Sequence, residues 1–563
     1  MAATLRRTLW QAAAVAATIS LVGVSGNFPV AQAIPPPTVD PSMVPADGAP
    51  GPDEPMRRSN SCSTPITVGN PDVARMAPGW DLLSINKAWE YSTGNGVPVA
   101  VIDTGVQPGP RLPVVPGGDY VMGEDGLSDC DAHGTVIASI IAAAPQGLVP
   151  MPRALPAAPA FAPPAAPPAV TSAPLPPVDV PAPPAPPPPP APVTVTVETP
   201  PPPPPPPAAA PPPEEAPVEP SNGPADAQVE DPPAVPGPPP GAPDGVVGVA
   251  PHATIISIRQ SSRAFKPVNP RSGGADAEQE KAGTLSTLAR AVVHAANIGA
   301  KVINISVTSC LPAAATQDQR ELGAALWYAS TVKDAVIVAA AGNTGEAGCD
   351  SNPTFNPLNP NDTRDWDHVK MVSSPSWFQD YVLSVGGVDA TGAPIDKSMA
   401  GPWVKVAAPG THIMGLSPQS GGPVNAYPKT KPQEKNIAFW GTSFSAAYVS
   451  GVVALVRAKY PNLNWHQTIQ RIVQSAHNPP TGVDNKVGYG LIDPVAALTW
   501  NIPEGERVPP GSLSRVITPE PPPAAPDHRA RNIAVGFVGL VGVVVLVVAI
   551  GARLRRSRPS GSA

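Results

Sequence analysis

The sequence predicts an α/β protein built on a doubly wound, mostly parallel sheet. Three observations predict it. Short, continuous β-branched apolar runs recur along the chain, helical patterns separate them, and polar residues stand where several of the runs end. Runs that are apolar at every position, rather than at alternate ones, mark strands covered on both faces. Alternation of such strands with helices marks βαβ units and hence a parallel sheet.

Taken in order, the strand-like runs are "GVPVAVIDTGV" (96–106), "ATIISIR" (253–259), "KVINISV" (301–307), "DAVIVAAAGN" (334–343) and "YVLSVGGV" (381–388). The helical patterns are "HGTVIASIIAAA" (133–144), "TLSTLARAVVHAANIG" (284–299) and "RELGAALWYASTV" (320–332). In open sheets of this type ligands bind beyond the carboxyl ends of the strands. Residues at those ends therefore receive the closest reading.

Composition divides the chain. It has 563 residues and 87 prolines, and the prolines concentrate between about 145 and 245. That stretch is nearly all Pro, Ala and Val, with Arg153 as its one basic residue. It cannot bury enough apolar surface to offset its ordering entropy, so it is expected to be disordered with polyproline II character. It separates "IIAAAP" from "DGVVGVAPHATIISIR". Net charge is −7 and the only basic run is at the extreme C-terminus, which excludes nucleic acid as a partner.

The ends carry their own signals. Arg6 and Arg7, the apolar run Leu9 to Val24 and the small-residue pattern Ala31-Gln32-Ala33 make residues 1–33 an expected secretory signal. Residues 34–79 form an N-terminal extension, and 499–531 a Pro-rich linker. Residues 532–552 are uncharged over a length that spans a bilayer core, and Arg553, Arg555, Arg556 and Arg558 follow. The arginine excess places the tail 553–563 in the cytoplasm and the body outside, in a single-pass membrane protein. Four cysteines without CxxC spacing in an exported chain predict two disulfides, with three connectivities open.

Three short stretches combine into one chemistry. Asp103 ends the first strand before Thr104-Gly105, His133 opens a helix, and Ser443 follows Gly441-Thr442 at the start of a long small-residue helix. Singly these are a turn residue, a cap and an N-cap. Jointly they supply a hydroxyl nucleophile, an imidazole base and a carboxylate to orient the base. A helix N-terminus favours the developing negative charge at the serine. Asn343, ending the run 334–343, has the side-chain amide an oxyanion needs.

The blocks "VAVIDTGV", "HGTVIASII", "GVAPHATIISIR", "VINIS", "VAAAGNTG", "VKVAAPG" and "GTSFSAAYVSG" resemble, in order, those of subtilisin-like serine proteases. The resemblance covers roughly 80–145 and 245–498, so the peptidase domain is expected over 80–498 with the insertion inside it. It implies Asp103, His133 and Ser443 as the triad and Asn343 as oxyanion donor. It also implies Ser306, Val307 and Thr308 as the substrate strand, pairing with an extended peptide. Two departures stand out: the common Ser-x-Gly-Gly is here Ser306-Val307-Thr308-Ser309, expected to narrow the cleft, and Ala447 replaces the proline usual four residues after the serine.

Signal, cysteine-bearing extension, peptidase domain, Pro-rich linker and one span with an arginine tail are similar to the mycosins, membrane-tethered subtilases of type VII secretion. That resemblance implies exported proteins as substrates and membrane components of a secretion complex as partners. It implies Cys62–Cys130 tying the extension to the domain, leaving Cys310 with Cys349. The position of Cys310 and Cys349 just beyond two neighbouring strands agrees. The extension then reads as a permanent wrap rather than a removable inhibitor. No cofactor is expected: Asp350, Asp362, Asp365 and Asp367 cluster without the spacing of a calcium loop.

Overall fold

In a computed structural model, the structure describes residues 37–155, 232–269, 282–510 and 547–550, apart from 315–317, 347, 355–357, 359–361, 363, 430, 432 and 481. Seven strands form the central sheet: β1 (Pro98–Asp103), β2 (Val114–Asp119), β3 (Thr254–Arg259), β4 (Val302–Ile305), β5 (Val336–Ala340), β6 (Val382–Val388) and β7 (Val404–Pro409). Their order is β7-β6-β5-β4-β1-β3-β2, and every neighbouring pair is parallel. The fold is the expected α/β arrangement on a parallel central sheet. β2 and β7, which the run pattern does not mark, extend the sheet at its two edges.

Helices cover both faces because alternate residues of each strand point opposite ways. Val99, Val101, Val302, Val336, Val338 and Leu383 join one core with α1 (His133–Ala142) and α4 (Thr442–Lys459). Ala100, Ile102, Ile303, Ile305 and Ile337 join the other with α2 (Leu285–Asn297) and α3 (Arg320–Trp327). Residues 442–458 of α4 are all buried, as a helix of small and apolar residues on every side requires. The expected helices match in place, although the third turns into a π-helical stretch at Tyr328–Val332.

Both flanks of the insertion, which its composition assigns to 145–245, are held on the domain. Residues 145–155 and 232–245 are held on the domain: Asp244 N–H donates to the Gln146 carbonyl at 3.1 Å, and Val235 N–H to Thr67 at 2.9 Å. Arg111 clamps this base, with a two-pronged ion pair to buried Asp244 at 2.7 and 3.0 Å and bonds to the carbonyls of Ala144 and Val246. Polar backbone partners, which composition does not register, order these flanks. The rest of the insertion, 156–231, lies outside the described residues, as do the expected signal at 1–33 and all of the apolar span except 547–550, which is helical and exposed. Among the described residues no helix is long and apolar enough to cross a membrane.

The other boundaries shift in the same sense. Residues 500–507 fall in the expected linker but fasten to α5 (Trp465–Ser475), where Arg471 donates to the Trp500 carbonyl and Asn464 to that of Arg507. The extension crosses the domain as a strap. Asp47 bonds His294 and Asn297, Asp53 bonds Arg290 and Thr284, and Met56–Arg58 pairs antiparallel with Phe265–Pro267. It then bonds through Cys62 to Cys130 and reaches Ala426, whose carbonyl accepts from Ile66 N–H. The second bridge joins Cys310 to Cys349, beyond the paired strands β4 and β5.

Closing a loop with a sequence separation of 68 stabilises by about 4 kcal/mol in the chain-entropy account. Replacing both Cys62 and Cys130 by serine should lower the thermal midpoint and make residues 37–62 the first site of limited proteolysis. Mass spectrometry of a short trypsin digest checks both.

Candidate active site

Asp103 is the last residue of β1, and it is fully buried. Its Oδ1 accepts from the Thr104 N–H at 2.7 Å and from His133 Nδ1 at 2.7 Å. Its Oδ2 is buried without a hydrogen-bond partner among the described residues. A carboxylate in this state gains from a positive charge next to it.

His133 is the first residue of α1, which starts from Ala132 in the left-handed region, φ 64°. The backbone can take this course because residue 134 is glycine: a Cβ there would lie 2.1 Å from the Gly105 carbonyl oxygen. Helix and strand end thus approach closely enough for the His133–Asp103 bond. Burial opposes the charged imidazole, but the charge of Asp103 and its hydrogen bond outweigh burial and raise the pKa above the ordinary 6.5. Nδ1–H donating to Asp103 leaves Nε2 as the basic nitrogen.

Ser443 lies in the first turn of α4, beside Phe444, whose ring centroid is 5.3 Å from that of His133. Its hydroxyl donates to the Ser306 carbonyl at 3.0 Å. Among the described residues no hydrogen bond joins Ser443 to His133. Asp103 and His133 are thus in direct contact, and Ser443 precedes the ring that packs near His133, its hydroxyl turned to the strand end.

Asn343 follows β5. Its Oδ1 accepts from the N–H and the hydroxyl of Thr442 at 3.0 and 3.1 Å, which fixes the amide orientation. Its Nδ2 donates to Glu346 Oε2 at 3.3 Å. Gly441 is required here: its φ is 137°, and a Cβ would lie 3.1 Å from Asn343 Nδ2. Thr442, which the motif reading passed over, is set apart from a spacer by its bonds to Asn343 and by its hydroxyl accepting from the Gly342 N–H at 3.1 Å.

Asn304, which the resemblance places only at the start of the substrate-strand stretch, has a further part. Its Nδ2 donates to Ser306 Oγ at 2.8 Å, its Oδ1 accepts from Ser450 at 2.9 Å, and Ser306 Oγ reaches the Ser443 carbonyl at 3.2 Å. This buried relay joins β4 to α4. The signal was available, since an Asn inside an apolar strand must find buried partners.

Ser306, Val307 and Thr308 follow β4 and, among the described residues, pair with no strand; pairing resumes at Ser309–Pro312 with Met371–Ser374. The Cys310–Cys349 bridge ties that antiparallel pair to the loop after Asn343. The aspartates of 350–367 serve the backbone and His368: Asp362 accepts from Asp367 N–H, and Asp365 from His368 at 2.7 Å. Among the described residues no three His, Cys, Asp or Glu side chains gather as metal ligands would.

The arrangement places a carboxylate-oriented imidazole, a hydroxyl at a helix N-terminus and a side-chain amide donor around one sheet edge. Such a set serves nucleophilic acyl transfer. Residues 232–490 match the subtilase family, Peptidase_S8. Mycosin-2 of Mycobacterium tuberculosis is 73% identical over 559 residues, covering 99% of this chain and all of that one. Mycosin-5 of the same organism is 47% identical, covering 97% of this chain and 96% of its own. Among solved structures, MycP1 from Mycobacterium smegmatis superposes with a TM-score of 0.65 at 38% identity, covering 86% of this chain and 100% of that one. A chain in an intact ESX-5 inner membrane complex does so at 0.63 and 42% identity, covering 93% and 100%. Two full-length relatives above 30% identity and a matching family domain settle membership: the chain is a mycosin, a serine protease of the subtilase family.

Proposed function

We propose that this mycosin is a membrane-tethered serine endopeptidase that cleaves exported proteins on the extracytoplasmic side and works with the membrane components of a type VII secretion complex. The observation that carries the chemistry is the 2.7 Å His133–Asp103 bond beside the first turn of α4, where Ser443 lies. The partnership draws on similarity to a chain of the ESX-5 inner membrane complex. The tether and the export signal rest on residues 532–552 and 1–33.

In this reading Ser443 leaves the Ser306 carbonyl, rotates toward His133 Nε2 and attacks the scissile carbonyl as the imidazole takes its proton. The freed Ser306 carbonyl becomes an acceptor for an extended substrate's N–H, with Val307 and Thr308 continuing the contact. Asp103 stabilises the imidazolium. Asn343 Nδ2 exchanges Glu346 for the oxyanion, and His133 then gives its proton to the leaving amine. No metal or other cofactor enters any step.

A second reading has one observation in its favour. With the Ser443 hydroxyl on Ser306 and the Asn343 amide on Glu346, the resting site is not poised to react. The protein would then matter chiefly as a structural subunit of the complex. Ser443→Ala separates the readings. Peptide cleavage should fall to background; secretion, measured by immunoblot of culture filtrate in cells carrying only this variant, falls with it if proteolysis drives export and persists if the role is structural.

Activity requires neutral His133. Because its pKa is raised, the acidic limb of kcat/KM should lie above the ordinary imidazole value of 6.5. Asp103→Asn should move that limb to lower pH and cost roughly 10³–10⁴-fold in kcat. A pH series of initial rates gives both numbers.

Thr442→Val removes one of the two donors that fix the Asn343 amide. The expected loss is roughly 10-fold in kcat, smaller than the 10²–10³-fold of removing the oxyanion amide itself by Asn343→Ala. Equal losses in the two variants would contradict the orienting role.

A further inference from the structure

We propose that Asp129 is a positioning residue for the His133–Asp103 pair, its carboxylate the knot that fastens the turn after β1 to the first turn of α1. This deepens the catalytic reading above and rests on it. Asp129 is 5% exposed. Its Oδ2 accepts from the Thr135 N–H at 2.8 Å and the Thr135 hydroxyl at 2.7 Å. Its Oδ1 accepts from the Thr104 hydroxyl at 2.9 Å and the Asp131 N–H at 3.2 Å. The Thr104 hydroxyl in turn accepts from the Gly134 N–H at 2.9 Å, and the Thr135 hydroxyl from the Gln107 N–H at 3.0 Å.

These bonds bracket the pair. Thr104 follows Asp103 in the chain, and Gly134 and Thr135 follow His133, so two hydroxyls and one carboxylate hold both partners' backbones at once. A cap alone would need one oxygen. Here each oxygen faces a fixed backbone N–H, Thr135 on one and Asp131 on the other, so neither can become the NH₂ of an asparagine without donor meeting donor. The site is written for a carboxylate.

The groups facing it are Asp103, His133 and Tyr427, with Asp131 on its own segment. Burial pushes the Asp129 carboxyl up to about 7, against the hydrogen bonds from Thr135 and Thr104. Its charge also favours the His133 imidazolium, after the larger effect of Asp103.

The test uses the full chain in detergent and a quenched-fluorescent peptide selected from a random pool by the parent enzyme. Asp129→Asn should lower kcat roughly 10²-fold, the cost of a misplaced catalytic group, leave KM little changed, and move the acidic limb of kcat/KM to lower pH. A folded Asp129→Asn with the parent's kcat and acidic limb, beside an inactive Ser443→Ala, overturns the role of Asp129 alone. A fall in kcat without movement of the limb assigns Asp129 a merely structural part and also overturns it. If Asp129→Asn does not fold, Thr104→Val decides, since it cuts the link to Gly134 at nearly constant volume: the same fall and shift support the proposal, and parent behaviour or failure to fold overturns it. Ser443→Ala that cleaves as well as the parent removes the triad reading itself.

Discussion

The site depends on one close contact, the approach of α1 to the turn after β1. Gly134 faces the Gly105 carbonyl with no room for a Cβ, which would fall 2.1 Å from that oxygen. Gly105 itself, at φ 98°, leaves none for a side chain beside the Ser128 carbonyl. Without this approach His133 and Asp103 would belong to separate elements. With it, a parallel sheet that brings its carboxyl ends to one edge also brings an imidazole and a buried carboxylate into contact. Overpacking at such a contact costs about 1–3 kcal/mol and shifts backbone, which the site tolerates less than the fold does.

Much of this could be read from the chain because the physics was local. Continuous apolar runs gave β1, β3, β4, β5 and β6, since a strand covered on both faces has little choice of residue. Edge strands β2 and β7 escaped: Val114–Asp119 holds a proline and two glycines, and Val404–Pro409 holds Lys405 and ends in proline, so neither has the pattern of a central strand. Asp103, His133, Ser443 and Asn343 were legible because strand ends and helix starts restrict where chemistry can occur. Thr442, Asn304 and Ser450 were not, because a positioning role is defined by partners distant in sequence. The same holds for the flanks of the insertion, where composition suggested disorder and backbone hydrogen bonds to Thr67 and Gln146 supply order.

The two disulfides divide the labour around the site. Cys62–Cys130 anchors the strap three residues before His133, whereas Cys310–Cys349 anchors the strand Ser309–Pro312 and the loop beyond Asn343. His133 and Asn343 thus each have a covalent anchor nearby. The serine has none and is held by the buried relay Asn304–Ser306–Ser450. In the proposed mechanism Ser443 is the group that must move, and it is the one secured only by hydrogen bonds.

The Arg111–Asp244 clamp has a wider consequence. Asp103 and His133 lie on one side of the insertion in sequence, Asn343 and Ser443 on the other, and neither disulfide crosses it. The two portions are nevertheless joined by the pairing of β1 with β3 and β4, by α1 against α4, and at the base by Arg111. Chain continuity between 156 and 231 is therefore dispensable to the architecture: severed there, the enzyme would remain a two-chain protein with a shared active site.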